Sequence, residues 1–426
     1  MTVAPTLAAP GCGCERVNPK GTLLAIDEAI DRILAHACPP AGDETVDLAR
    51  ALGRVLARPV RSAAPVPPFD NAAMDGFALR CADLTGPGPW MVPVVSRVPA
   101  GHGAGAVLPG GAAVRIFTGA PLPAGADAVV MQEEVTREGD AILLGARPHP
   151  GLNLRRAGSD LAAGDLALQA GRRLGPKEIA ACAAAGAGRV HVRPPLRVAL
   201  LVTGDEIRPA GGRRSHAQIW DVNTPMLSAL MRRPAIDLIS AGRAADDRTG
   251  LTAQLAGLAA RCDLIVTTGG ISVGEEDHVR PALAGLGARV FFSGVAIKPG
   301  KPVSFGRLGT CLWLGLPGNP LSAFVTFQVF GAALLRQMTG ESGPADLRRH
   351  VVLSEPVHRK PGRCELRPAS LAGFDGLGRE VVRMDATTHS DRVGLLPAAD
   401  GLAFLPAEAE HLPAGALVEF LPFCTA

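Results

Sequence analysis

Apolar positions change period along this chain, and the changes divide it into regions. Over 22–36, Ile26, Ile30, Ile33 and Leu34 recur at i, i+4, i+7 and i+8, the stripe of an amphipathic helix. A second, shorter helical pattern covers 46–57. Arg61 to Phe69 is proline-rich and reads as an extended crossing between domains. From about 70 to 150, short apolar runs such as Ala113–Phe117 and Ala128–Met131 alternate with Gly/Pro turns, which predicts a small all-β region. Leu161–Leu168 and Arg189–Val192 are strand-like. Pro176–Ala185 between them is helical, with Pro176 in the first turn, where its missing N–H costs nothing.

The texture changes near 194. Arg197–Val202 and Leu264–Thr267 are continuous apolar runs, too apolar for half-exposed strands. Ile236–Ser240, Val290–Phe292 and Cys311–Gly315 are further strands. Asn223–Met231, Gly250–Arg261, Val279–Leu286 and Pro320–Met338 are helical and alternate with them. Such alternation predicts a parallel, doubly wound α/β sheet, whose ligands sit in the loops beyond the carboxyl ends of the strands. From about 345 short strands and Gly/Pro turns return, which suggests a small β-barrel or sandwich.

Composition narrows the function classes. A length of 426 residues favours two to four domains, and 47% hydrophobic residues exclude a disordered chain. Net charge is 43 − 40 = +3, which argues against a nucleic-acid binder driven by bulk charge. No transmembrane helix is expected, because Gly, Pro or charge interrupts every long apolar run. No secretory signal is expected either, because Pro5 and Pro10 cut the first apolar stretch and no basic region precedes it. Nine scattered cysteines fit a reducing, cytoplasmic setting. Cys12 and Cys14 form a C-x-C pair in a tail over 1–20 that reads as disordered. They suit a soft metal or a redox pair, or they are two incidental thiols. Lysine is rare, five against 38 arginines, so its placement is informative.

The loops after the apolar strands are chemically dense. They are Thr203-Gly204-Asp205-Glu206, then Thr268-Gly269-Gly270-Ile271-Ser272-Val273-Gly274-Glu275-Glu276-Asp277, then Pro317-Gly318-Asn319. Glycine lets backbone N–H groups approach a ligand, and a helix N-terminus favours an anion. One such turn is commonplace packing; three on one sheet edge point to a phosphate-bearing ligand. Lys298-Pro299-Gly300-Lys301-Pro302 places two of the five lysines in a stiff loop suited to a multiply charged anion. Carboxylates beside anion-binding loops suit a hard cation such as Mg²⁺. Asp246 and Asp247 serve that role or cap the following helix. Taken singly, the segments around Asp75, Thr118 and Asp160 read as structural turns.

Taken together, seven motifs resemble one family. They are PPFDNAAMDGFA (67–78), RIFTGAPLPAGADAVVMQEE (115–134), RRAGSD (155–160), VTGDE (202–206), TTGGISVGEED (267–277), AIKPGKP (296–302) and LPGNP (316–320). In this order they resemble the molybdopterin molybdenumtransferases, the MoeA family that includes the E domain of gephyrin. The resemblance covers about 21–426.

It implies an elongated α+β domain over 21–61 plus 156–193, and an inserted β-rich domain over 62–155. A molybdopterin-binding α/β domain over 194–340 and a C-terminal β-barrel over 341–426 follow. It implies insertion of molybdate into adenylylated molybdopterin, with Mg²⁺-dependent release of AMP. It further implies a cytoplasmic homodimer with the active site in the cleft between subunits. Other molybdenum cofactor biosynthesis proteins and apo-molybdoenzymes are further partners, and neither nucleic acid nor membrane is involved.

Matched residue by residue, the catalytic set is Asp75, Thr118, Asp160, Glu206, Asp277, Lys298 and Lys301. Thr203, Gly204, Gly269, Gly270, Ser272, Gly274, Pro317, Gly318, Asn319 and Ser390 would bind the pterin nucleotide. Glu206, Asp246 and Asp277 would hold Mg²⁺, and Asp75 and Thr118 would reach in from the facing subunit. Ser159, Thr224, Ala245 and His278 depart from the family pattern without removing a proposed ligand. An adenylyltransferase that acts one step earlier would share the α/β fold but not need 21–190. A scaffold that had lost the chemistry would lack the motif acids and lysines.

Overall fold

A computed structural model describes residues 23–244, 247–271, 278–343, 348–385 and 392–423. The Cys12/Cys14 tail, Asp246, Ser272, Gly274, Asp277 and Ser390 lie outside the described residues.

The α/β unit is built on a six-stranded sheet. Its order is Ile236–Arg243, Leu196–Val202, Leu264–Thr268, Cys311–Leu316, Ser304–Leu308 and Arg289–Ser293. The first four strands are mutually parallel. Ser304–Leu308 pairs antiparallel with both its neighbours, so the sheet is mixed rather than fully parallel. Leu308 pairs with Cys311, so the reversal is a hairpin turning over Gly309 (φ +60°) and Thr310. No strand was expected over 304–308, because glycine interrupts that short run.

Alternate residues of Leu196–Val202 feed two cores. Val198, Leu200 and Val202 join one apolar cluster, and Ala199 and Leu201 join the other. Helices Arg248–Ala259 and Val279–Gly285 cover the second face through Leu251, Leu255 and Leu283. Asp247 caps the first of these, accepting the Gly250 N–H at 2.7 Å. On the first face lie Asn223–Met231 and the Pro320–Thr339 stretch, which passes through a π-turn at Phe327–Gly331. By length and composition that stretch is apolar enough to cross a membrane, but it is 67% buried as a core element.

The first helix, Ile26–His36, buries Ile26, Ala29 and Ile33 in this same core, with Leu334 and Leu335. The helical pattern expected over 46–57 is absent. Glu44–Asp47 is instead a strand paired with Arg189–Val192, followed by a single 3₁₀ turn at Leu48–Arg50. Leu56, Leu174, Cys182 and Val192 close a separate small core there. Antiparallel pairing with a distant strand satisfies the backbone that a local helix would otherwise have to satisfy.

The β-rich segment forms a six-stranded sheet that includes Gly76–Leu79, Ala113–Ile116 and Ala128–Met131. In the C-terminal region, Cys364–Phe374 pairs with both Glu380–Met384 and Gly401–Leu405, closing five strands into a barrel. Ile297–Lys298 adds to that barrel in parallel with Cys364–Glu365, which ties it directly to the lysine loop.

Candidate active site

Three of the parallel strands, Leu196–Val202, Leu264–Thr268 and Cys311–Leu316, are neighbours, so their carboxyl-end loops meet. The meeting point is cross-braced. The Thr203 N–H donates to the Thr268 carbonyl at 3.0 Å, and the Thr268 hydroxyl donates to the Pro317 carbonyl at 2.7 Å. The Asn223 amide donates to the Thr268 hydroxyl at 3.0 Å and to the Gly318 carbonyl at 2.7 Å. Gly269 has φ +85°, and a Cβ there would lie 2.6 Å from Thr203 Oγ1, so the close approach of the loops demands glycine. Asn223 is 4% exposed, and its Oδ1 has no partner among the described residues.

These loops line a cleft of about 1010 Å³. Of the sequence-predicted residues, Thr203, Gly204, Glu206, Gly269, Gly270, Lys298, Lys301, Pro317, Gly318 and Asn319 all border it. Asn223, Trp220 and Arg363 border it as well and were not anticipated. Asp221-Val222-Asn223 at the opening of a helix was a usable signal for the asparagine. Nothing local marked Arg363, which comes from the barrel.

Three cations, Lys298, Lys301 and Arg363, border the cleft. Lys298 Nζ is 3.4 Å from the Glu365 carboxylate, and Arg363 donates to the Ile297 carbonyl at 3.2 Å. Lys301 is exposed and makes no ion pair among the described residues. Glu365 is 1% exposed and also accepts from Arg367 at 3.0 Å and Arg359 at 3.3 Å. Burial works to raise its pKa, but the Arg367 hydrogen bond, the charges of Arg367 and Lys298 and the Arg359 hydrogen bond outweigh it and hold the carboxyl below its ordinary value.

Glu206, Asp205 and Asp221 are the described acids on the cleft wall. Their hard oxygens, with the orphaned Asn223 Oδ1, are the donor type Mg²⁺ takes. Among the described residues no three potential ligands converge. Burial pushes the thiols of Cys81 and Cys311 up to about 12, so neither is a ready nucleophile at neutral pH.

Asp75, Thr118 and Asp160 lie outside this cleft. Their three motifs nevertheless assemble together. Ala72 and Asn71 pair with Leu154 and Arg155, the Gly119 N–H donates to the Ala72 carbonyl at 2.8 Å, and the Asp160 N–H donates to the Val66 carbonyl at 2.9 Å. Thr118 donates its N–H and its hydroxyl to one Asp75 oxygen, at 2.8 and 2.7 Å. Those bonds, with the nearby Arg115 charge, hold the Asp75 carboxyl below its usual pKa. The Arg115 guanidinium lies over Phe77 and Phe117 at 5.1 and 4.7 Å.

A mixed α/β sheet with a loop-lined cleft at its carboxyl edge, joined to an inserted β unit and a closed barrel, defines a multidomain α/β protein with a small-ligand cleft. Comparison with known proteins makes this specific. Residues 24–186 match the MoeA N-terminal region (domains I and II), 199–337 a probable molybdopterin binding domain, and 350–423 the MoeA C-terminal region (domain IV). The chain is 36% identical over 320 residues to the molybdopterin molybdenumtransferase of Haemophilus influenzae, covering 75% of this chain and 78% of that one. It is 34% identical over 390 residues to molybdopterin molybdenumtransferase 2 of Mycobacterium tuberculosis, covering 90% and 95%. The crystal structure of the molybdopterin biosynthesis MoeA protein from Pyrococcus horikoshii superposes with TM-score 0.79 at 27% identity, covering 94% of this chain and 100% of that one. The chain belongs to the MoeA family of molybdenum cofactor biosynthesis.

Proposed function

We propose that the cleft binds adenylylated molybdopterin and molybdate, transfers molybdenum to the pterin dithiolene and releases AMP. The observation that carries this reading is one cleft with two kinds of lining. Backbone-rich turns at Gly204, Gly269 and Gly318 and the cation set Lys298, Lys301 and Arg363 border the same cavity. The turns suit the pterin phosphate and nucleotide, and the cations suit molybdate, whose double charge is strongly felt in a cleft.

Glu206, with Asp246 and Asp277, would hold Mg²⁺. That ion, when bound, supplies neutralising charge to the phosphoanhydride. The Asn223 oxygen is oriented by its own amide bonds, so it offers a fixed acceptor to the ligand or its metal. In a cytoplasmic homodimer, Asp75 and Thr118 would reach the cleft from the facing subunit. The two Thr118 bonds keep that carboxylate ionised and fix its orientation.

The test is AMP release from adenylylated molybdopterin with and without molybdate. Molybdate-dependent release by the wild type, abolished in Asp277→Asn with the fold intact by circular dichroism, supports the reading. Release that ignores molybdate, or net ATP consumption with free molybdopterin, overturns it in favour of an adenylyltransferase.

A further inference from the structure

We propose that Trp220 is the stacking platform for a flat heteroaromatic ring of the bound nucleotide. The inference rests on the substrate reading of the cleft given above. The chain has three tryptophans and no tyrosine. Trp313 is 1% exposed, and its indole N–H is taken up by the Thr267 hydroxyl at 2.9 Å. Trp90 is half-buried, bonded to the Thr85 carbonyl and covered by Arg147. Trp220 differs from both. It is 50% exposed, and it borders the cleft rather than the outer surface alone.

Leaving half of the largest apolar side chain in water sacrifices burial that a core position would have gained. A ring ligand recovers it. The side chain is also held ready. It stands on Ile219–Trp220, a two-residue strand paired with Ile207–Arg208 immediately after Glu206. Its indole N–H donates to the Gly212 carbonyl at 3.2 Å, and the Arg214 guanidinium lies over the ring at 5.1 Å from its centroid. A ring oriented before binding leaves little side-chain entropy to lose when a second ring stacks on it.

The rest of the cleft wall says what the partner is. Glycine turns, two lysines and an arginine line the cleft with Trp220, the one aromatic among its described lining residues, the pairing expected for a ligand that joins a planar ring to phosphate. Phe374 and Leu377, exposed apolar residues elsewhere, do not border this cleft. The proposed substrate carries two planar rings, adenine and pterin. The shared chemistry is the π-face, and the experiment separates the two.

Titration calorimetry on the full chain uses AMP, 6-hydroxymethylpterin and ribose 5-phosphate, the last having sugar and phosphate but no ring. Trp220→Ala is expected to weaken AMP or the pterin by roughly 5- to 150-fold, and the arm that moves names the ring. Ribose 5-phosphate should stay within about twofold of wild type, and Trp220→Phe should recover most of the lost affinity. The inference is overturned if Trp220→Ala binds both rings as the wild type does. It is overturned equally if ribose 5-phosphate weakens in proportion, or if the wild type binds neither ring. Wild-type ring affinity that depends on Trp220, with no molybdate-dependent AMP release, would sink the proposed reaction and leave the platform standing.

Discussion

At the residue scale, two lysines that share a motif do different work. Lys298 is engaged by the buried Glu365, whereas Lys301 makes no ion pair among the described residues. Lys301→Ala should therefore remove a charge that a bound anion feels directly. A lost charged hydrogen bond is worth roughly 1.5–3 kcal/mol, so pyrophosphate and molybdate affinity should fall by about 10- to 150-fold. Competition binding of both anions checks this, and unchanged affinity would remove Lys301 from the site. Gly269→Ala acts through the backbone. It forces a side chain into φ +85° and drives a Cβ against Thr203 Oγ1. The strained conformation alone costs about 1–3 kcal/mol, visible as a lower melting temperature in a thermal scan.

At the element scale, the joint between barrel and lysine loop is set by one carboxylate. Ile297–Lys298 lies against Cys364–Glu365, and Glu365 gathers Lys298, Arg359 and Arg367. Its pKa is lowered in the folded state. A lowered carboxyl pKa contributes stability that is fully present above the unfolded value, near 4.5, and is lost as pH falls through the folded value. Urea unfolding from pH 7 down to pH 3 should show a constant contribution to about 4.5 and a loss below it. Glu365→Gln should flatten that acid limb and lower stability at pH 7, because two buried guanidinium groups lose their counter-charge. An unchanged acid limb in the variant would show that other carboxylates govern it.

Legibility also varied by element. Asn223–Met231 and the apolar strands were readable because one face or both faces are buried along their whole length. In the 46–57 segment Leu48, Leu52, Val55 and Leu56 fit a helical spacing, yet Val46 and Leu48 pack on the core around Val192 that only pairing with Arg189–Val192 creates. Ser304–Leu308 escaped notice because Gly306 breaks its pattern. That glycine is required where a Cβ would lie 2.7 Å from the Arg289 carbonyl.

At the scale of the whole molecule, the question is whether a site is complete within one chain. Asp75 and Thr118 sit in the β-rich unit, and like the Asp160 turn they do not border the cleft lined by Lys301. If the facing subunit supplies them, Asp75→Asn and Lys301→Ala lie on opposite walls of each shared site. Mixing the two impaired variants after joint unfolding and refolding, assayed at a molybdate concentration too low for either alone, should then restore about a quarter of wild-type activity, since half the dimers are mixed and each carries one intact site. No recovery, with mixed dimers confirmed by mass, would place both walls in a single chain.

The sequence alone singled out the candidate residues for the chemistry. Seven ordered motifs, the rarity of lysine and the glycine turns after apolar strands are local, and local spacing is what a sequence displays. It also determined the α/β character, because strands buried on both faces and amphipathic helices write their periods directly into the chain. Only the tertiary structure decided what faces what. Arg363 and Glu365 come to the lysine loop through a barrel strand remote in sequence. Asn223 reaches across to Thr268 and Gly318. Trp220 stays half in water beside them. Those juxtapositions follow from strand order and long-range pairing. No residue's own neighbourhood in the chain encodes them, because the energy that fixes them is gained only once the sheet and barrel have closed.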